Sequence, residues 1–248
     1  MLCNLNTNGG GGGAQGSAPW ITTAAGVWNP SAKPVVQGDV MWPGAAFSIT
    51  VSGETRTITT NDLPKGEPTG VFPIARSDPA YRYDGNPNHI AAQHLSYSVP
   101  ANPTVANQPT CLHGGPIGVT LDGVALFDPL DAQHRDGVAH EVQDLCGGHP
   151  QQDGMYHYHN ITTCLLKQTT GSSSLVGYAL DGFGIYVERD ANGHLLTNGD
   201  LDACHGRSST VEWDGKQVSM YHYDATAEYP YTVGCFKGTP VNTGPPQG

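Results

Sequence analysis

The sequence predicts a mainly β protein of short strands and hairpins with a few short helices. The 33 glycines and 19 prolines make up about a fifth of the 248 residues, a composition typical of many turns and short strands. One order of landmarks, Leu-Asp-Gly, Cys, Tyr-His-Tyr and Cys, occurs twice along the chain. Four of the six cysteines bracket the two Tyr-His-Tyr motifs. We therefore expect an internal two-unit repeat, stabilised by disulfides.

The N-terminus is predicted to be a flexible tether. Residues 1–18 are rich in glycine, and Cys3 followed by polar residues resembles the tether of a bacterial lipoprotein whose leader has been trimmed. An ordinary tail is the alternative. We expect one β-rich domain over residues 19–240, followed by a short C-terminal tail over residues 241–248.

The first predicted hairpin lies early in the domain. Apolar and polar residues alternate over Phe47–Val51 and again over Thr55–Thr59, as in strands with one buried face. The intervening Ser52–Glu54 contains Gly53, which favours a tight turn.

Two further hairpins are predicted where Leu-Asp-Gly separates apolar stretches. Asp122-Gly123 and Asp181-Gly182 are strong hairpin signals, because such turns need residues that tolerate positive φ. This interpretation makes both aspartates turn residues rather than catalytic groups, although they could still reach the histidine strands. Between the first of these hairpins and the first motif, residues 136–145 are predicted to form a short helix with His140 and Asp144 on one face.

The repeated motif carries the predicted chemistry. It occupies Met155–His159 in a first unit of about residues 115–170 and Met220–Asp224 in a second unit of about residues 174–237. Because side chains alternate along a strand, His157 and His159 would share one face at a spacing of about 6.6 Å, with the tyrosines on the other. If the two units pack about a pseudo-twofold axis, one site would combine four side chains, His157, His159, His222 and Asp224. A polar core network is the alternative.

Three imidazoles and one carboxylate are predicted to bind a transition metal ion, with zinc or copper preferred and iron or manganese as alternatives. Three further histidines, His140, His149 and His205, are candidates for a catalytic acid or base beside the metal. His149 and His205 are equally candidates for ligands, since both follow a cysteine on a glycine-containing loop.

The cysteine positions predict two disulfides, Cys146–Cys164 and Cys204–Cys235, each around one motif. Such crosslinks typically contribute about 2–4 kcal/mol and require an oxidising compartment. We therefore expect a secreted, periplasmic or cell-surface protein. Cys3 and Cys111 are left over by this pairing and could pair with each other or stay free.

Charge and hydropathy limit the partners. A net charge of −11 argues against nucleic acid or an anionic membrane surface, and weakly favours cations. The sequence contains no apolar run long enough to span a bilayer. It does not indicate an oligomer or filament partner.

Several long motifs resemble the YHYH protein family. They are Gly137–Val142, the Cys-Gly-Gly-His-Pro run at 146–150, Tyr-His-Tyr-His at 156–159, and the Asp-Leu-Asp-Ala-Cys-His-Gly run at 200–206. The resemblance covers about residues 60–240 and implies a secreted or lipoprotein-like bacterial protein, without implying an activity. Cys111-Leu112-His113 departs from the family pattern and stays unexplained.

Three functions are compatible with these observations. The first is a secreted metalloenzyme, hydrolytic with zinc or redox-active with copper or iron. The second is a metal carrier or sensor, in which Met155 and Met220 would lie on the histidine face as soft ligands. The third is a structural surface or filament protein with a histidine-rich core network. A coordination shell completed by protein would favour the third function, and an open position in a cleft would favour an enzyme.

Overall fold

The computed structural model describes residues 18–22 and 28–241. Within these residues the chain is mainly β, with eleven strands in two sheets and two short α-helices, which confirms the predicted fold class. Cys3 and nearly all of the predicted tether and C-terminal tail lie outside the described residues.

The smaller sheet is antiparallel and has the order β1-β2-β3. Its strands are β1 (Phe47–Ser52), β2 (Thr55–Thr60) and β3 (Leu95–Pro100). The hairpin predicted in this region is confirmed, since Ser52 pairs with Thr55 across a turn in which Gly53 has a φ of 58°. Glycine adopts this left-handed conformation without the steric cost that a Cβ would add.

The larger sheet has eight strands in the order β10-β11-β9-β8-β4-β5-β7-β6. In chain order the strands are β4 (Pro116–Thr120), β5 (Ala125–Phe127), β6 (Gly148–Pro150), β7 (Tyr156–Tyr158), β8 (Ser173–Ala179), β9 (Gly184–Glu188), β10 (Gly206–Trp213) and β11 (Lys216–Asp224). Helix α1 (Gly137–His140) lies between β5 and β6, and helix α2 (Thr163–Gln168) between β7 and β8.

The strand order of the larger sheet is the same in both directions from its centre. Strands β4 and β8 form the central antiparallel pair, followed outward by β5, β7 and β6 on one side and by β9, β11 and β10 on the other. We call β4–β7 the first wing and β8–β11 the second wing. In each wing the motif strand, β7 or β11, runs parallel to its inner neighbour and antiparallel to its outer one. The two motifs therefore occupy the same position in opposite wings, while the duplication of one ancestral unit stays a prediction.

Both predicted Leu-Asp-Gly hairpins are present. The β4–β5 and β8–β9 pairs are antiparallel, and Gly123 and Gly182 have φ values of 91° and 92°. At Gly182 a Cβ would also lie 2.6 Å from the Pro100 carbonyl oxygen, so the close approach of β3 requires glycine there.

The main hydrophobic core lies between the two sheets and combines side chains from both. Ile58 and Val99 of the smaller sheet belong to the same buried cluster as Leu126 and Ile185 of the larger one. Burial of such side chains stabilises a fold by about 1.5–3 kcal/mol each. The core thus joins the smaller sheet to both wings of the larger one.

The helix predicted over residues 136–145 is wrong in extent, because α1 ends at His140. Asp136 caps its N-terminus by accepting from the Ala139 N–H at 3.1 Å, but Glu141 is already extended, with φ −98° and ψ 151°. The Asp144 carboxylate instead accepts from the backbone N–H groups of Gly70, Cys146 and Gly148. These bonds compete with helical ones, so His140 and Asp144 do not share a helix face.

Both predicted disulfides are confirmed. Cys146–Cys164 ties the loop before β6 to α2, and Cys204–Cys235 ties the loop before β10 to the segment after β11. Cys111 is also disulfide-bonded. Neither α-helix of the described chain is long enough to cross a bilayer.

Candidate metal centre

The tyrosines of the first motif anchor strand β7 in the core. Tyr158 donates its hydroxyl to Asp122 Oδ2 and Tyr156 donates to Asp144 Oδ2, both at 2.8 Å, and both side chains are fully buried. Because side chains alternate along a strand, the histidines face away from these tyrosines. The turn aspartate Asp122 thus reaches the motif strand, through a tyrosine rather than a histidine.

His157 and His159 lie on the same face, with ring centroids 5.0 Å apart. His149 joins them from β6, where it pairs directly with His157 at a centroid distance of 4.5 Å. One ring nitrogen of each histidine lies within 4.8 Å of those of the other two. All three residues are at most 5% exposed.

Glu141 completes this group, which we call the first cluster: Glu141, His149, His157 and His159. Its Oε2 lies 3.0 Å from His159 Nε2 and 3.3 Å from His149 Nε2. These three atoms are buried, yet none of them makes a hydrogen bond of acceptable geometry. Buried polar atoms normally find partners, so atoms that converge without them point to a missing common partner.

The other ring nitrogens orient the imidazoles. His159 Nδ1 lies 2.5 Å from the Asp128 carbonyl oxygen and His157 Nδ1 lies 3.3 Å from that of Met155. Such contacts require an N–H at Nδ1 and leave Nε2 as a lone-pair donor, which is the usual arrangement behind a metal-bound histidine. Phe127 stacks on the His157 ring at 4.0 Å. The thioether of Met155 belongs to the hydrophobic core.

Burial and mutual charge set the protonation of the first cluster. Burial by itself would raise the pKa of Glu141, but the imidazoles of His149 and His159 outweigh it and hold that pKa well below its usual range. Burial lowers the pKa of His157 well below its ordinary value, and the neighbouring histidines add to the effect. Burial by itself would lower the pKa of His159, but Glu141 raises it by more. Near neutral pH Glu141 is thus ionised and His157 neutral, the forms that bind metals, whereas Glu141 favours a proton on His159 that a metal ion would have to displace.

The second motif forms a separate group, which we call the second cluster: Glu188, His222 and Asp224. His222 Nε2 lies 3.4 Å from Glu188 Oε2 and 3.5 Å from Asp224 Oδ2, and all three residues are buried. The tyrosine anchors are matched in this wing, where Tyr223 donates to Asp181 at 2.5 Å and Tyr221 to Asp202 at 3.0 Å.

The second cluster differs from the first in containing an arginine. Arg207 pairs with His222 across β10 and β11, as His149 pairs with His157 across β6 and β7. Its Nη2 and Nε lie 2.7 Å and 2.9 Å from Glu188 Oε2. The carboxylate of Glu188 is therefore already paired with a permanent cation, whereas His222 Nε2 and both Asp224 carboxylate oxygens are buried without hydrogen-bond partners.

The prediction of one site pooled from both motifs is wrong. His157 and His159 belong to one wing and His222 and Asp224 to the other, with β5, β4, β8 and β9 between the motif strands. At about 4.8 Å per strand spacing, the strands are about 24 Å apart along the sheet. Each motif instead meets partners of its own wing: the segment after α1 and strand β6 in the first wing, and strands β9 and β10 in the second.

The two other histidines predicted to be catalytic lie outside the first cluster. His205 has both ring nitrogens engaged, Nδ1 with the Thr232 carbonyl oxygen at 2.7 Å and Nε2 with Asn198 Oδ1 at 2.9 Å. By position it matches Gly147 rather than His149, and both have left-handed φ values, 70° and 79°. His140 is half-buried at the end of α1, where burial and Arg135 lower its pKa.

A third group that contains metal-ligand residue types, Glu67 with Cys146 and Cys164, offers no thiolate. Both sulfurs are bonded to each other in the disulfide, so they cannot act as ligands in this state.

Residues 96–196 match the family model described as YHYH protein. This segment is similar to the YHYH protein family. The match confirms the resemblance over a shorter range than expected: it contains the whole first cluster and Glu188, and it ends before Arg207 and the second motif. No curated protein and no solved structure matches the chain.

Proposed function

We propose that this protein binds a divalent transition metal ion in the first cluster, through His149, His157 and His159 with Glu141 as the fourth donor. The observation that carries the proposal is the convergence of buried atoms, His149 Nε2, His159 Nε2 and Glu141 Oε2, that lack hydrogen-bond partners. Three imidazole nitrogens and one carboxylate oxygen suit zinc best, with copper, iron and manganese as competitors.

The alternative is a polar network that needs no metal. A network of this kind stabilises a protein when each buried donor faces an acceptor in good geometry. In the first cluster Glu141 Oε2 approaches two Nε2 atoms while all three stay without a hydrogen bond. A cation bound between them would satisfy the three atoms at once, which favours metal binding.

A structural or carrier role for the metal is the first choice. Four protein donors fill a tetrahedral shell, and the most exposed of them, Glu141, is only 9% exposed. The second candidate is a metal-dependent hydrolase, favoured by the ionised Glu141 on an extended segment after α1. In that role Glu141 would act as general base toward a metal-bound water, leaving three histidine ligands.

The location follows from the disulfides. Cys146–Cys164 and Cys204–Cys235 persist only in an oxidising compartment, so we propose a secreted, periplasmic or cell-surface protein.

The test is the metal content of protein expressed in the periplasm without a His tag and dialysed with zinc. We expect about one ion per chain in the wild type and none in the His157→Ala, His159→Ala double variant. His194→Ala is the matched control, since this histidine side chain is 78% exposed and lies outside both clusters. Full metal content in the double variant would overturn the proposal.

X-ray absorption at the metal edge then separates the two roles. Four protein donors at about 2.0–2.1 Å would support the closed site, and three imidazoles with a water-derived oxygen that persists in Glu141→Gln would support the hydrolase.

A further inference from the structure

The two clusters share the motif positions and the paired position on the outer strand, but different residues occupy some of these positions. His157 and His222 each follow the first tyrosine of a motif, and His159 and Asp224 each follow the second. Across the sheet, the residue paired with the first histidine is His149 in the first wing and Arg207 in the second. The position that supplies an imidazole in one wing therefore supplies a guanidinium in the other.

The Arg207 guanidinium lies at the carboxylates of the second cluster. It contacts Glu188 Oε2 through Nη2 at 2.7 Å, and its Nε lies 4.0 Å from Asp224 Oδ2. His222 Nε2 lies 3.4 Å from the same Glu188 oxygen, so the imidazole and the guanidinium share one carboxylate atom. Guanidinium stays protonated at every physiological pH, and it presents no lone pair to a metal.

We propose that Arg207 is an internal cation that excludes a metal ion from the second cluster, so that the protein binds one ion per chain and not two. The count of one ion per chain rests on the proposed function, because it assumes an ion in the first cluster. The claim that Arg207 keeps the second cluster free of metal does not depend on it. A metal ion bound to Glu188 would have to displace the guanidinium or lie next to its positive charge, and both reduce affinity. The residue at the outer-strand position thus determines which wing is a metal site.

Arg207→His tests this inference, because it places at this position the residue that the first wing has. We expect two zinc ions per chain in Arg207→His and one in the wild type. In the His157→Ala, His159→Ala background, we expect none with Arg207 and one with Arg207→His. Arg207→Lys is the matched control: it keeps a cation beside Glu188 and should leave the count unchanged.

The outcomes separate the two proposals. A wild type with no bound metal, together with one ion in Arg207→His, would overturn the first-cluster proposal and support the role of Arg207. Two ions in the wild type, or one in the His157→Ala, His159→Ala variant, would overturn the internal cation. The internal cation would also be overturned if Arg207→His gains no ion although its urea unfolding transition shows that it is folded. If Arg207→His does not fold, the count in the double variant decides, because it tests the unmodified second cluster.

Discussion

Glu141→Gln removes one negative charge from the first cluster while nearly preserving the shape of the side chain. Glu141 Oε2 lies 3.0 Å from His159 Nε2 and 3.3 Å from His149 Nε2. An ion bound to these nitrogens at about 2.0–2.1 Å would lie within about 4 Å of the carboxylate. We therefore expect this substitution to weaken metal binding more than any change at the cluster that leaves all three histidines in place.

The magnitude follows from the charge interaction. A divalent ion and a carboxylate about 4 Å apart at an effective dielectric constant of about 20 interact by about 8 kcal/mol, and about 1.4 kcal/mol is a factor of ten in affinity. The amide oxygen of glutamine keeps part of the interaction as a dipole. The expected loss is thus about 100- to 1000-fold in zinc affinity, measured by competition with a chromophoric chelator.

A second readout needs no metal. Glu141 raises the pKa of His159 above the ordinary histidine value of 6.5 despite burial. A raised histidine pKa contributes stability that is fully present below pH 6.5 and is lost as pH rises through the folded-state pKa. Metal-free Glu141→Gln should therefore lose more stability to urea at pH 5.5 than at pH 8.

The neighbouring His140→Ala is the control, because His140 is half-buried outside the cluster. Its zinc affinity should stay within about threefold of the wild type, which corresponds to less than about 0.7 kcal/mol. Equal affinities for Glu141→Gln and the wild type would refute the assignment of Glu141 as a donor.

Two further predictions concern stability. Tyr158→Phe removes the 2.8 Å hydrogen bond to the buried Asp122 carboxylate, and should cost about 1.5–3 kcal/mol in urea unfolding; a loss below about 0.5 kcal/mol would contradict the anchoring role of this tyrosine. Burial raises the pKa of Asp224 from 3.8 to about 7. Between these two pH values the folded state keeps a proton that the unfolded state has lost. The free energy of unfolding therefore falls as the pH rises from 3.8 to about 7. Asp224→Asn should remove this fall, and its free energy of unfolding in urea at pH 8 should exceed that of the wild type by about 1–4 kcal/mol, since each pKa unit is about 1.4 kcal/mol. The same dependence of stability on pH in both proteins would count against the raised pKa of Asp224.

Local sequence signals were sufficient for several features of the fold. The hairpin at Gly53 and those at Gly123 and Gly182 follow from turn residues that tolerate positive φ, which depends on neighbours in the chain. The shared face of His157 and His159 follows from strand alternation. These properties involve only a few consecutive residues, so they are readable without knowledge of the fold.

The composition of the clusters was not readable in the same way. Glu141 was adjacent to a predicted catalytic histidine, but it enters the first cluster because α1 ends at His140 and the chain becomes extended. His149 was expected to correspond to His205, whereas the strand pairing makes Arg207 its counterpart. A register shift of one or two positions in a loop changes the partner, and loop conformation depends on bonds such as those of Asp144.

The sequence by itself thus determined the β class, the turns, the two disulfide pairs and the direction of the motif side chains. Each of these depends on local backbone chemistry or on the order of cysteines around a motif. The tertiary structure alone decided that the two motifs lie in opposite wings, that Glu141 and His149 join the first histidine pair, and that Arg207 occupies the matching place beside His222. Strand order and register are set by pairing and burial between distant segments, and a single linear sequence does not display those contacts.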